Sequence, residues 1–126
     1  MSTAENRQVI ERYVEAISGK AKPPALVNQY VADADELLKQ HIADAEVAFP
    51  RYDFIAEDLI AEGNKVVVRF NLHATHQGNF MGIPATGREI NVPGIIIYHL
   101  ADGKIVKHWM HIDSMAMMQQ LGVQPG

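Results

Sequence analysis

The first half of the chain places its apolar residues at the spacing of helices. Before Gly19 they recur three and four residues apart, at Val9, Ile10, Tyr13, Val14 and Ile17. Ser2 followed by Glu5 has the spacing of a capping box, which predicts where this first helix begins. The double proline at 23–24 interrupts the chain and predicts a short second helix over 25–31.

A third helix is predicted from Asp33, because Asp33 with Glu36 repeats the capping spacing. Its apolar stripe consists of Leu37, Leu38, His41, Ile42, Ala45 and Phe49. Pro50 ends the helix, so three helices precede the first strand.

From Tyr52 onward the apolar period falls towards two, which is typical of strands. Strands are predicted over 52–60, 66–76, 88–100 and 104–112. The first is expected to contain a bulge, because its apolar residues change from one set of alternate positions to the other within the strand. A loop rich in glycine and proline fills 78–87, and a three-residue hairpin loop is predicted at 101–103. Asp113 is expected to cap a last helix over 114–121 that Gly122 ends. This order predicts an α+β fold, in one domain over 1–126, with one sheet face packed on helices.

Alternation sorts the strand residues into two faces. The predicted inner face holds Val66, Val68, Phe70, Leu72, Ala74 and His76, then Ile90, Val92, Gly94, Ile96, Tyr98 and Leu100. A three-residue loop would pair Leu100 with Lys104, and therefore Ile96 with His108 and Gly94 with Met110. The last strand then adds Val106, His108, Met110 and Ile112 to the inner face.

Three polar side chains interrupt this apolar inner face, and they are the candidate catalytic residues. His76 or His108 could transfer a proton, and Tyr98 could donate a hydrogen bond. An apolar cavity with few polar groups is typical of a small-molecule site, which predicts a small hydrophobic molecule as partner. The candidate ligand contacts are Phe70, Leu72, Val92, Ile96, Met110 and Ile112. The alternative is a solid core in which each histidine is paired with a backbone carbonyl.

The other sheet face mixes polar residues with Ile95, Ile97 and Trp109. This mixture favours a homodimer contact, and its alternative is a partly covered solvent face.

Composition excludes several classes of function. The net charge is −4 and the basic residues are scattered, so nucleic acid is not expected as a partner. No apolar run approaches the ~20 residues that cross a bilayer, and we expect a cytoplasmic protein without membrane contact. Cysteine is absent, which excludes thiolate chemistry. Histidines three apart on a strand point to opposite faces, so no metal site is predicted. No glycine pattern for phosphate binding lies between a strand and a helix, and no cofactor is predicted.

Four short segments carry a family resemblance: Thr75-His76, Phe80-Met-Gly-Ile-Pro-Ala-Thr-Gly-Arg88, Asp102-Gly-Lys-Ile105 and Gln120-Leu-Gly122. In order and spacing they are similar to those of the SnoaL-like polyketide cyclases, in the NTF2-like superfamily. The resemblance implies a cone-shaped barrel, with N-terminal helices packed on a curved, mainly antiparallel sheet and a short C-terminal helix.

The resemblance also implies cofactor-free chemistry. The name-giving cyclase closes a ring by an aldol reaction, with an aspartate as acid/base and a histidine and a glutamine on the neighbouring strand. These positions fall on Met110, Ile96 and Gly94, so none of the three groups is retained. Two functions stay open. The chain is either an acid/base enzyme for isomerisation, dehydration, cyclisation or hydrolysis, or a non-catalytic dimer that binds a small molecule.

Overall fold

A computed structural model describes residues 1–123. Within that range the helices are α1 (Thr3–Ile17), α2 (Pro24–Tyr30), α3 (Glu36–Ala48) and α4 (Ser114–Leu121). The strands are β1 (Asp53–Glu62), β2 (Lys65–Thr75), β3 (Glu89–Ala101) and β4 (Lys104–Ile112). A 3-10 turn at Asp33–Asp35 precedes α3. The predicted elements are therefore present, with ends displaced by two residues or fewer except at the start of α3.

The two predicted helix caps have different outcomes. The capping box of α1 is confirmed, because Ser2 Oγ accepts from the Glu5 amide at 3.1 Å and Glu5 Oε1 accepts from the Ser2 amide at 3.0 Å. The predicted cap at Asp33 is wrong. The 3-10 turn takes up the first residues, and Asp35 Oδ1 accepts instead from the amide of Leu38, at 3.1 Å. The helix therefore begins with a buried aspartate rather than an exposed one.

The four strands form one antiparallel sheet in the order β1-β2-β3-β4. The predicted bulge in β1 is confirmed between Ala56 and Asp58. Inner-face alternation is confirmed along β2 and β3, where Val66, Phe70, Ile96 and Tyr98 are each at most 2% exposed. Helix α1 packs on β1 and β2, and α4 packs on β3, which closes the core on that face.

The last hairpin has a different strand register from the one predicted. Ala101 pairs with Lys104 across a two-residue turn, in which Asp102 and Gly103 both have positive φ, as hairpin turns of this kind require. The predicted three-residue loop and the Leu100–Lys104 pair are wrong.

A bulge follows at Val106, because Leu100 pairs with Ile105 and His99 with Lys107. Ile105 is therefore the buried inner residue, and the inner position predicted for Val106 is wrong.

The shorter turn and the bulge together shift the register of β4 against β3 by two residues from the predicted one. Tyr98 lies opposite His108, Ile96 opposite Met110 and Gly94 opposite Ile112, so the predicted pairs of Ile96 with His108 and of Gly94 with Met110 are wrong. A shift by an even number leaves every side chain on its face. His108 and Met110 consequently stay on the side of the sheet that the alternation predicts.

Gly94 lets an aromatic stack lie close to β3. A Cβ at this position would be 2.5 Å from Cζ of Phe70. The Phe70 ring in turn stacks on Phe54, with ring centroids 4.3 Å apart. This stack forms part of the wall of the cavity described below.

Within residues 1–123, no helix combines the length and the hydropathy that crossing a membrane requires.

Candidate functional site

An apolar cavity, here called the chamber, lies between α1, α3 and the inner face of the sheet, and its volume is about 100 Å³. Six of the predicted site residues line it: Tyr98, Phe70, Leu72, Ile96, Met110 and Ile112. Val92 is fully buried in packing and does not line the chamber. His76 and His108 do not line it either.

A larger groove, of about 680 Å³, adjoins the chamber. The two share five residues: His41, Ala45, Leu72, Met110 and Ile112. Met110 is 39% exposed although it belongs to the inner face, which places it at the opening between the two spaces. The groove continues towards the loop after β2, where Phe80 and Met81 border it.

A buried Asp35–His108 pair lies behind the chamber. Nδ1 of His108 is 2.8 Å from Oδ2 of Asp35, and each side chain is 5% exposed. A carboxylate can only accept, so Nδ1 carries the proton and Nε2 of a neutral ring keeps a lone pair. Within residues 1–123, Nε2 has no hydrogen-bond partner and yet is not fully enclosed. The second oxygen of Asp35 caps α3, so this carboxylate joins α3 to β4.

Two tyrosines lie beside this pair. Tyr98 is directly opposite His108 in the sheet, and the Tyr13 ring meets the Tyr98 ring edge-on at 5.7 Å. Burial raises the pKa of both phenols, and the Asp35 carboxylate adds to the effect. Both hydroxyls therefore stay protonated at neutral pH, where a phenol is a hydrogen-bond donor. Both tyrosines line the chamber.

Besides Tyr13, sequence reasoning missed two further polar residues of the site, His41 and Asp35. His41 borders both chamber and groove, and its ring meets the His108 ring edge-on at 5.8 Å. The sequence feature that could have identified His41 is its position inside the apolar stripe of α3, between Leu38 and Ile42. For Asp35 the signal was the three-residue spacing to Leu38, the first deeply buried residue of that helix.

His76 lies apart from the other two predicted catalytic residues. Tyr98 pairs with Val66 at the start of β2, whereas His76 follows the end of that strand. With a rise of about 3.3 Å per residue, the path along β2 from the Tyr98 pair to His76 is roughly 30 Å long. The structure thus brings Tyr98 and His108 together and leaves His76 at the other end of the sheet. In the described part of the chain, no three histidine, aspartate or glutamate side chains are grouped as metal ligands would be.

Replacing Asp35 by alanine should destabilise the protein by about 2–4 kcal/mol, because both a helix cap and the buried partner of His108 are lost. The midpoint of urea unfolding measures this. Asp33→Ala is the matched control, since the Asp33 side chain is 99% exposed and should matter much less. Equal losses of stability in the two variants would contradict a central role for Asp35.

Comparisons with known proteins agree with this architecture. The sequence pattern of the SnoaL-like polyketide cyclases matches residues 1–121. The aklanonic acid methyl ester cyclase DnrD of Streptomyces peucetius is 33% identical over 84 residues, which are 62% of this chain and 58% of that enzyme. The match therefore spans little more than half of the relative's length.

Solved structures share the fold. TsrD from Streptomyces laurentii superposes with a TM-score of 0.83 at 24% identity, over 98% of this chain and 99% of its own. A SnoaL-like polyketide cyclase from Agrobacterium tumefaciens gives 0.78 at 21% identity, over 97% and 100%. The predicted α+β fold of NTF2-like type is thereby confirmed. By the match over almost its whole length, the chain belongs to the SnoaL-like polyketide cyclase family.

Proposed function

We propose that the protein is a cofactor-independent acid/base enzyme that moves a proton next to a carbonyl group of a small, largely apolar molecule. The observation that carries this proposal is the buried Asp35–His108 pair directly behind Tyr98, which lines an apolar chamber. A base with a free lone pair and a phenol donor are the two groups that such a proton transfer needs.

In the proposed reaction, Nε2 of His108 takes a proton from the carbon next to the carbonyl. The electron pair of that C–H bond moves to the carbonyl oxygen, which becomes an enolate and accepts a hydrogen bond from Tyr98. Asp35 holds the proton on Nδ1 and stabilises the imidazolium that forms. The proton then passes from Nε2 to a different carbon of a conjugated enolate, which gives isomerisation. Alternatively it passes to a hydroxyl group on the carbon next to the deprotonated one, which leaves as water as the C=C bond forms, and this gives dehydration. His76 takes no part in this step.

A second function is supported by a different observation. His108 does not itself line the chamber, and Asp35 also caps α3. The pair could therefore be a structural clamp between helix and sheet. In that case the chamber and groove bind a small hydrophobic molecule without turnover, as the non-catalytic alternative predicts.

Deuterium exchange distinguishes the two functions. With 2-tetralone in D₂O, the protein should accelerate exchange at the carbons next to the carbonyl, as NMR can follow. His108→Gln should slow the accelerated rate by about 100-fold or more, because the base is lost. His73→Gln, at a half-exposed histidine of the outer face, is the control. Binding of 2-tetralone without any acceleration would favour the non-catalytic function.

The family's aldol closure is not proposed for this chain. The resemblance places Met110 where the cyclase has its acid/base carboxylate, and a thioether has no proton to give or take. Incubation with aklanonic acid methyl ester, the compound in the relative's name, should therefore give no cyclised product, which is an isomer of the substrate and is detected by liquid chromatography or NMR. Turnover that survives Met110→Ala would contradict this.

We further propose a homodimer through the outer sheet face. Ile95 is 48% and Trp109 is 40% exposed there, and Ile97 lies directly opposite Trp109. Lys65 and Lys107 lie over the Trp109 ring at 5.8 and 4.9 Å from its centroid, so the apolar patch has a polar rim. Interfaces have this combination of an apolar centre and a polar edge.

Sedimentation at micromolar concentration should show a dimer for the wild type and a monomer for Trp109→Glu, which places a charge in the contact. Met115→Glu is the matched control, because Met115 is 63% exposed on α4, away from that face. A wild-type monomer, or a dimer that Trp109→Glu leaves unchanged, would rule out this interface.

A further inference from the structure

The groove beside the chamber has the composition of a binding surface rather than of a packing defect. It is bordered by Met81, Met110 and Met117, together with the rings of Phe49 and Phe80. Met81 is 80% exposed. Methionine side chains are flexible and polarisable, so such a surface adapts to apolar molecules of different shape.

Behind the wall of this groove lies a buried hydrogen-bond donor without a partner. Nδ1 of His76 is 3.2 Å from the backbone nitrogen of Thr86 and 3.0 Å from its Oγ1. A backbone N–H can only donate, and Oγ1, which accepts from the Arg88 amide, still has its own hydrogen to donate. Nδ1 therefore accepts, and the proton of the neutral ring is on Nε2. His76 is 0% exposed, and its Nε2 has no hydrogen-bond partner within residues 1–123. Leaving a buried donor unpaired costs free energy that a suitable acceptor would recover.

Two aromatic rings separate this donor from the groove. The His76 ring centroid is 5.4 Å from that of Phe49 and 6.5 Å from that of Phe80. Both phenyl rings border the groove. The donor thus lies one side-chain layer behind the groove wall.

Backbone hydrogen bonds attach the segment that carries Phe80 to the rest of the described chain only at its ends, although the Phe80 ring itself packs on Phe49. The amides of Gln77 and Gly78 donate to Ala48 O, and at the other end the Gly87 amide donates to His76 O. Between these anchors, Phe80 and Ile83 exchange backbone hydrogen bonds with each other, and the Gly82 amide donates to Asn79. The tip at 79–85 can therefore shift as a unit without breaking backbone bonds to other described residues.

We propose that the groove is a second ligand subsite, which takes an aromatic or alicyclic body carrying a hydrogen-bond-accepting oxygen. When the tip shifts and Phe80 moves aside, the Nε2–H of His76 donates to that oxygen. The unpaired donor supplies selectivity for oxygen over a hydrocarbon of the same shape, and the methionines supply the apolar contact. His76 acts here as a binding residue, independently of any proton transfer at His108.

Two probes of matched shape test this subsite: 2-acetylnaphthalene, with a carbonyl oxygen, and 2-ethylnaphthalene, without one. The full-length protein is labelled with ¹⁵N-histidine, and two-bond ¹H–¹⁵N spectra are recorded during titration. The ketone should shift the Nε2 resonance of His76 and bind roughly two- to tenfold more tightly than the hydrocarbon, the gain expected of one hydrogen bond. The hydrocarbon should leave that resonance in place.

Variants separate the donor from its surroundings. His76→Phe should abolish the preference for the ketone, and His73→Phe, on the outer face three residues earlier, should keep it. Phe80→Ala removes the cover without touching the donor, so it should strengthen binding of the ketone more than of the hydrocarbon. The preference should also survive His108→Gln, whatever that change does to proton transfer.

Equal affinity for the two probes would overturn the proposal. So would a His76 resonance that stays unmoved while the ketone saturates the protein, or a preference that persists in His76→Phe. The wild-type titration distinguishes these outcomes even if the loop of His76→Phe does not fold correctly.

Discussion

The hydrogen bond between Asp35 and His108 is the contact on which the geometry of the site depends. It joins side chains that are 73 residues apart in the chain and 5% exposed. One carboxylate oxygen orients the imidazole and the other begins α3, so helix and sheet are held at a fixed separation. The chamber is the space that this separation leaves between them. A buried carboxylate with both oxygens engaged is costly to disturb, which makes this junction rigid.

Local patterns made much of the fold predictable. Alternation alone assigned the faces of β2 and β3, and the capping box located the start of α1. The hairpin register was not predictable, because it depended on a turn one residue shorter and on a bulge that the apolar pattern does not mark. The two departures add up to an even shift, so a wrong register still gave the right face for His108 and Met110.

The candidate site was less accessible to sequence reasoning, for two physical reasons. Alternation says which face a side chain occupies and nothing about its position along the sheet. His76 and Tyr98 were therefore grouped, although His76 follows the end of β2 and Tyr98 lies beside the start of that strand. Asp35 was missed because its role depends on a contact with a distant strand, and the competing cap at Asp33 matched the local pattern better. What the structure added was therefore the carboxylate partner of His108 and the division of the space on the inner face into the chamber and the adjoining groove.

The single tryptophan of the chain has a consequence for how the molecule can be observed. Trp109 is on the outer face of β4, beneath two lysine ammonium groups, while the chamber opens on the opposite face of the same strand. Intrinsic fluorescence therefore monitors the solvent and charge surroundings of one side of the sheet. A molecule that enters the chamber can alter this emission only through the thickness of the sheet, by energy transfer or by a shift of β4 itself. A change in tryptophan emission and a change in histidine resonances would thus be signals from two different surfaces.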